Sequence, residues 1–152
     1  MTTRGARFLI SSVIILFAAL GAEGRSCRPT EPDEVGPFYK PDAPLRSRIG
    51  QGYVLSGTVR SAADCRPLPG ARIEFWQAGP GGGYDDAYRA TILADTEGRY
   101  RLETYYPPAY QRRPPHIHIL VLAPGYRRLI TQHYPAAGAR RATFDLVLEP
   151  GN

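Results

Sequence analysis

The chain has 152 residues, a formal net charge of +5, 43% hydrophobic and 22% charged residues, 16 glycines, 15 prolines and two cysteines. That length and turn-rich composition suit one compact domain of many short elements and disfavour long helices. Nearly all the positive charge is arginine, Lys40 being the only lysine, and it is scattered without aromatic interleaving, which argues against nucleic acid as a partner.

Arg4 and Arg7 precede a largely apolar run at 8–20, and small residues follow at Gly21 and Ala22. This is the pattern of a secretory signal peptide, and the run is short for a membrane span. We read 1–22 as a signal peptide and 23–152 as a single exported domain, periplasmic or extracellular, that calls for no integral membrane partner. An uncleaved anchor would leave the folded part on the same side. In such a compartment Cys27 and Cys65 are expected to form a disulfide, which removes thiolate as nucleophile or metal ligand.

Residues 23–50 are proline-rich and irregular, and read as an arm wrapped on the domain, because Phe38 and Tyr39 favour burial. The alternation at 53–59 predicts a strand, and 64–70 a turn. A second strand is expected at 71–78, with Ile73 and Phe75 on one face and Glu74 and Trp76 on the other. The glycine-rich loop at 79–83 has neither a Lys-Ser/Thr continuation nor a helix behind it, so it is not a phosphate loop. Further strands are expected at 88–93, 99–105, 129–132 and 142–148, with a turn at 95–98. The stretch 105–122 opens in proline-rich loop chemistry and ends in an apolar, β-branched run. Short strands with closely spaced turn signals predict an all-β fold: an antiparallel β-sandwich of about seven or eight strands with long irregular loops.

Within 105–122, His116 and His118 are two residues apart. In a strand they share a face, about 6.6 Å apart along the chain, so both can lean onto one metal ion. A polar strand face or a hydrogen-bonded histidine pair would give the same spacing. With both cysteines paired, and His133 on a later segment where a hydrogen-bonding role is expected, tyrosine and carboxylates remain as further ligands. The chain has ten tyrosines. A phenol with a pKa near ~10 ionises at neutral pH only beside a strong Lewis acid. A hard trivalent ion such as Fe(III) suits phenolate oxygen better than Zn(II) does. Spacing does not select which tyrosines take part.

Several motifs occur in order: Gly36-Pro37-Phe38-Tyr39, Pro69 to Ala78 with Glu74-Phe75-Trp76 at its centre, Gly83-Tyr84, Pro107-Pro108-Ala109-Tyr110, Arg113-Pro114-Pro115-His116-Ile117-His118, and Thr131-Gln132-His133-Tyr134. This order resembles the intradiol ring-cleavage dioxygenases over roughly 34–148. The resemblance implies a non-haem Fe(III) held by Tyr84, Tyr110, His116 and His118. It also implies that Arg113 lies over the substrate ring, that Gln132 is a pocket residue, and that Tyr110 leaves the metal and takes a substrate proton. The reaction it implies cleaves a catechol-type ring between its two hydroxyl-bearing carbons with O2, giving a cis,cis-muconate-type diacid.

The sequence departs from larger family members in having no N-terminal helical region and only Gln111 and Arg112 between Tyr110 and Arg113. Both features bear on the substrate roof and on subunit contacts, and leave a homo-oligomer open. A different class of reading is a non-enzymatic, transthyretin-like β-sandwich binding module, which the region 57–77 also resembles. Such a module would not need Tyr110 and Arg113 beside the histidine pair. A copper- or zinc-handling protein would be expected to use more histidine, methionine or cysteine.

Overall fold

The computed structural model describes residues 27–151; the signal peptide read at 1–22 lies outside the described residues. Eight strands are present: β1 (Tyr53–Ser61), β2 (Arg72–Trp76), β3 (Arg89–Leu93), β4 (Arg99–Thr104), β5 (Ile117–Leu122), β6 (Leu129–His133), β7 (Arg141–Thr143) and β8 (Leu146–Leu148), with one 3-10 turn at Asp86–Tyr88. One sheet runs β4-β1-β7, with β8 also on β1, and the other runs β3-β2-β5-β6. This is the expected β-sandwich. Its pairings are antiparallel except along β1, to which β7 and β8 are both parallel. No helix among the described residues is long and apolar enough to cross a membrane.

The alternation read in the sequence works as expected between the sheets. Tyr53, Leu55, Val59, Leu102 and Leu146 face Ile73, Phe75, Ile117, Ile119 and Val121 across the core, all at most 1% exposed. Each such side chain contributes roughly 1.5–3 kcal/mol of burial free energy. The strand expected at 142–148 is broken in two. Phe144 N donates to Ser56 O at 2.8 Å and Thr58 N donates to Asp145 Oδ1 at 2.8 Å, so this segment pairs with β1 through a side chain where a ladder would use backbone. Only glycine fits opposite the break, because a Cβ on Gly57 would stand 2.1 Å from the Phe144 carbonyl oxygen.

The outer face of the β3-β2-β5-β6 sheet is buried as well. Glu74 and Trp76, expected to face away from the core, are only 4% and 2% exposed, and His118 and Leu120 are 2% and 3%. The N-terminal arm is the cause. It crosses the domain through Thr30 N to Val147 O, Asp33 N to Ile130 O, Arg46 N to Thr91 O and Ile49 N to Glu103 O, all 2.9–3.1 Å. Tyr39 donates to Glu74 Oε2 at 2.9 Å and lays its ring 5.1 Å from that of Trp76. At the start of the arm, Cys27 is disulfide-bonded to Cys65, with Cα atoms 5.2 Å apart.

The bond closes a loop with a sequence separation of 38, so replacing both cysteines by serine is expected to lower stability by about 2–4 kcal/mol. Urea denaturation of the two proteins measures this, and an unchanged midpoint would show that the arm is held by its hydrogen bonds alone.

Candidate metal centre

The β5 register fixes where the histidines stand. His118 lies directly between Trp76 on β2 and Gln132 on β6, all on the arm-covered outer face. The Trp76 indole stacks on the His118 imidazole, with centroids 4.9 Å apart and planes 5° apart. His116 precedes the strand by one residue. Its Nδ1 is 2.8 Å from the Pro114 carbonyl oxygen, and since a carbonyl can only accept, that nitrogen carries the proton and Nε2 carries the lone pair. The neighbouring prolines thus set the tautomer.

Tyr84 meets both rings from the glycine-rich loop. Its hydroxyl oxygen is 3.0 Å from His116 Nε2 and 3.3 Å from His118 Nε2, and the two nitrogens are 3.1 Å apart. Three donor atoms therefore form a nearly equilateral triangle. Separations of this size are short enough for all three atoms to reach one ion. Among the described residues no group of three histidines, cysteines or carboxylates could hold a metal, so a phenol is what completes this triad. Two imidazoles and a phenolate suit a hard, highly charged cation, and in this respect the residues fit the ferric ion implied by the resemblance.

The electrostatics are consistent with neutral imidazoles. Burial first, then His116 and Arg113, pull the His118 pKa down to about 4. Burial likewise lowers that of His116, with a smaller contribution from Arg113. Burial pushes the Tyr84 phenol up to about 12, while Arg113 and Arg89 oppose the shift. A phenol so placed gives up its proton only to a strong Lewis acid.

Tyr110 stands next to the triad. Its ring is edge-on to Tyr84 at 5.2 Å, but its hydroxyl is met by Gln111 Nε2 at 3.4 Å and makes no hydrogen bond with the three converging atoms. Tyr110 and Arg113 exchange backbone bonds of 3.2 and 2.9 Å around a two-residue turn whose first residue, Gln111, is left-handed at φ 52. This turn brings the arginine back beside the tyrosine. Arg113 Nη2 donates to Gln132 Oε1 and to the Tyr134 hydroxyl, both at 2.9 Å. Gln132 in turn donates to the Glu34 carbonyl at 2.7 Å, and Tyr134 to Asp33 Oδ2 at 2.8 Å. Gln132 therefore holds the Arg113 guanidinium in place. His133 is remote from the triad and hydrogen-bonds with the Tyr53 hydroxyl at 2.7 Å, the role expected of it.

Some of the site was not picked out in the sequence. Phe38, read only as an apolar arm residue, stacks on Tyr84 with centroids 4.4 Å apart and planes 14° apart. Arg89, only 4% exposed, donates Nη2 to the Tyr84 carbonyl at 2.9 Å. Its own carbonyl accepts Arg46 Nε at 2.8 Å. These contacts hold Tyr84, which no strand holds. Asp33 and Tyr134 fix Arg113. The available signal was weak: an aromatic after Gly-Pro, and an arginine in an otherwise apolar strand.

His116 and His118 are buried and His133 half-buried, and desolvation lowers the pKa of all three, so the unfolded chain, with histidine at ~6.5, binds protons that the folded protein refuses. Metal-free protein is therefore expected to hold full stability above pH ~6.5 and to lose it as pH falls toward about 4, where His118 and His133 titrate. Urea midpoints across that range measure the slope, and a flat profile would contradict neutral burial.

Comparison with known proteins agrees with the geometry. Residues 36–148 match the family model described as Dioxygenase. The chain is 31% identical to a catechol 1,2-dioxygenase of Candida albicans over 80% of its length, covering 52% of that protein. It is 28% identical to a chlorocatechol 1,2-dioxygenase of Cupriavidus pinatubonensis over 86% of its length, covering 64% of that protein. It thus spans about half to two thirds of these relatives. Among solved structures it is similar to the dioxygenase domain of a dioxygenase and carbohydrate-binding protein fusion from Streptomyces sp. SirexAA-E. There the TM-score is 0.73 at 33% identity, covering 82% of this chain and 100% of that one. With most of its length matched by the family model and the tyrosine-histidine triad assembled within the matched region, the chain belongs to the intradiol ring-cleavage dioxygenase family.

Proposed function

We propose that this protein is an exported intradiol dioxygenase. It would hold a non-haem ferric ion through Tyr84, Tyr110, His116 and His118, and cleave catechol-type rings between the two hydroxyl-bearing carbons with O2 to give cis,cis-muconate-type diacids. The observation that carries this reading is the 3.0–3.3 Å triangle of Tyr84 Oη, His116 Nε2 and His118 Nε2, with Arg113 beside it. A transthyretin-like binding module has no use for such a convergence. The signal-peptide-like pattern read at 1–22 and the Cys27–Cys65 bond support export.

When bound, ferric iron supplies the Lewis acidity that stabilises phenolates and makes a catecholate reactive toward O2. The chain's own residues do the rest. His116 and His118 enter as neutral ligands, held so by burial and, for His116, by the Pro114 carbonyl. Tyr84 enters as a phenolate on a loop clamped by Phe38 and Arg89. Tyr110, half-buried beside Tyr84, would be the second phenolate, and its oxygen would take a proton from the incoming catechol, leaving Tyr110 a neutral phenol. Arg113 commits one nitrogen to Gln132 and Tyr134. That keeps a permanent positive charge oriented toward the ring, where negative charge develops during cleavage. Gln132, Tyr134 and Asp33 pre-set its position, so no reorientation is needed during the reaction.

Iron-loaded protein is expected to be red-brown from phenolate-to-iron charge transfer, and to convert catechol to a muconate under O2. Tyr84→Phe and His118→Ala should each lose colour and iron. Arg113→Met should keep both and lose turnover by about 100-fold. A colourless protein that takes up no iron and leaves catechol untouched would overturn the proposal. Full colour in both ligand variants would overturn the ligand set.

A further inference from the structure

The sheet on the far side of the sandwich from the triad has an outer face with a different character. On β1, Leu55 points into the core, so Val54 and Ser56 point out. The register then places Arg101 of β4 opposite Ser56 on one side, with Arg141 and Thr143 of β7 opposite Val54 and Ser56 on the other. Arg140 joins them at the entry to β7, and these six residues line an open cavity of about 320 Å³. The cations on this face outnumber its carboxylates. Glu103 is shared by Arg48 at 2.8 Å and Arg101 at 3.5 Å, and among the described residues the guanidinium groups of Arg140 and Arg141 pair with no carboxylate. All three cavity arginines are exposed.

We infer that this face binds an acidic polysaccharide, a polyuronate chain whose carboxylates engage Arg101, Arg140 and Arg141 in turn. A polymer is favoured over a small anion by magnitude. One exposed guanidinium-carboxylate contact contributes only about 0–1 kcal/mol in water, so a single carboxylate would be held weakly. A chain that satisfies three arginines at once gains the second and third contacts at high effective concentration. The Ser56 and Thr143 hydroxyls between the cations suit a hydroxyl-rich chain. No aromatic ring lines the cavity, and a single-stranded nucleic acid would be expected to need such rings for base stacking. The inference is independent of the chemistry proposed for the opposite face.

The test is affinity electrophoresis of the whole protein through gels containing polygalacturonate, neutral dextran or single-stranded DNA. Retardation by polygalacturonate is expected at low ionic strength, falling as salt is added. Arg140→Ala/Arg141→Ala should weaken it by about tenfold, and Arg101→Glu should do so independently. Arg28→Ala/Arg128→Ala, which removes the same charge from exposed positions lining a different cavity, should change it less than twofold. No retardation by polygalacturonate overturns the inference. Equal loss in the control variant, equal retardation by dextran, or tighter binding of single-stranded DNA also overturns it.

Discussion

Gly36 rests against the His118 imidazole, and a Cβ at that position would stand 3.1 Å from Cε1 on a backbone already left-handed at φ +67. This close approach lets the N-terminal arm lie flat on the outer face of the β3-β2-β5-β6 sheet. Flanking residues of the arm then take up their tasks. Glu34 and Asp33 anchor Gln132 and Tyr134, Phe38 stacks on Tyr84, and Tyr39 seals Glu74 and Trp76. Without the arm the outer face would be a wet, half-polar sheet surface, and His118 would be an ordinary exposed histidine with an ordinary pKa.

Burial then shapes the site chemistry. Imidazoles taken out of water stay neutral and keep a lone pair for a metal, whereas a phenol taken out of water holds its proton more tightly. These two effects oppose each other as far as metal binding is concerned. The fixed charges of Arg113 and Arg89 partly offset the second, and a trivalent cation would outweigh the remainder. Both arginines therefore favour the phenolate form of Tyr84, and Arg113 also discourages imidazolium at His116 and His118. Such a combination would suit a hard, highly charged ion.

The rest of the sandwich supplies rigidity on which this depends. Ile117, Ile119 and Val121 lock one face of β5 into the core, so the opposite side chains cannot slip register. A shift of one residue would turn His118 inward and Ile117 into the site. Tyr84 comes from a loop, and the structure compensates by tethering it at its ring and at its carbonyl rather than through a ladder.

The sequence by itself determined the strand positions, because alternation of apolar and polar residues is a local property that a sandwich core rewards directly. It pointed to the His116–His118 pair as well, since residues two apart in extended chain share a face, although His116 stands one residue before β5 and is oriented by the Pro114 carbonyl. It also carried the motif order by which Tyr84, Tyr110 and Arg113 were linked to the pair. Only the tertiary structure decided that Glu74 and Trp76 are buried, since the arm that covers them lies tens of residues away in the chain. Only it decided that Phe38 and Arg89 hold Tyr84, that Gln132 hydrogen-bonds Arg113, and that 142–148 is two strands, broken where Phe144 crosses Gly57. Each of these rests on a contact between distant segments, and no local pattern encodes which distant segment will arrive.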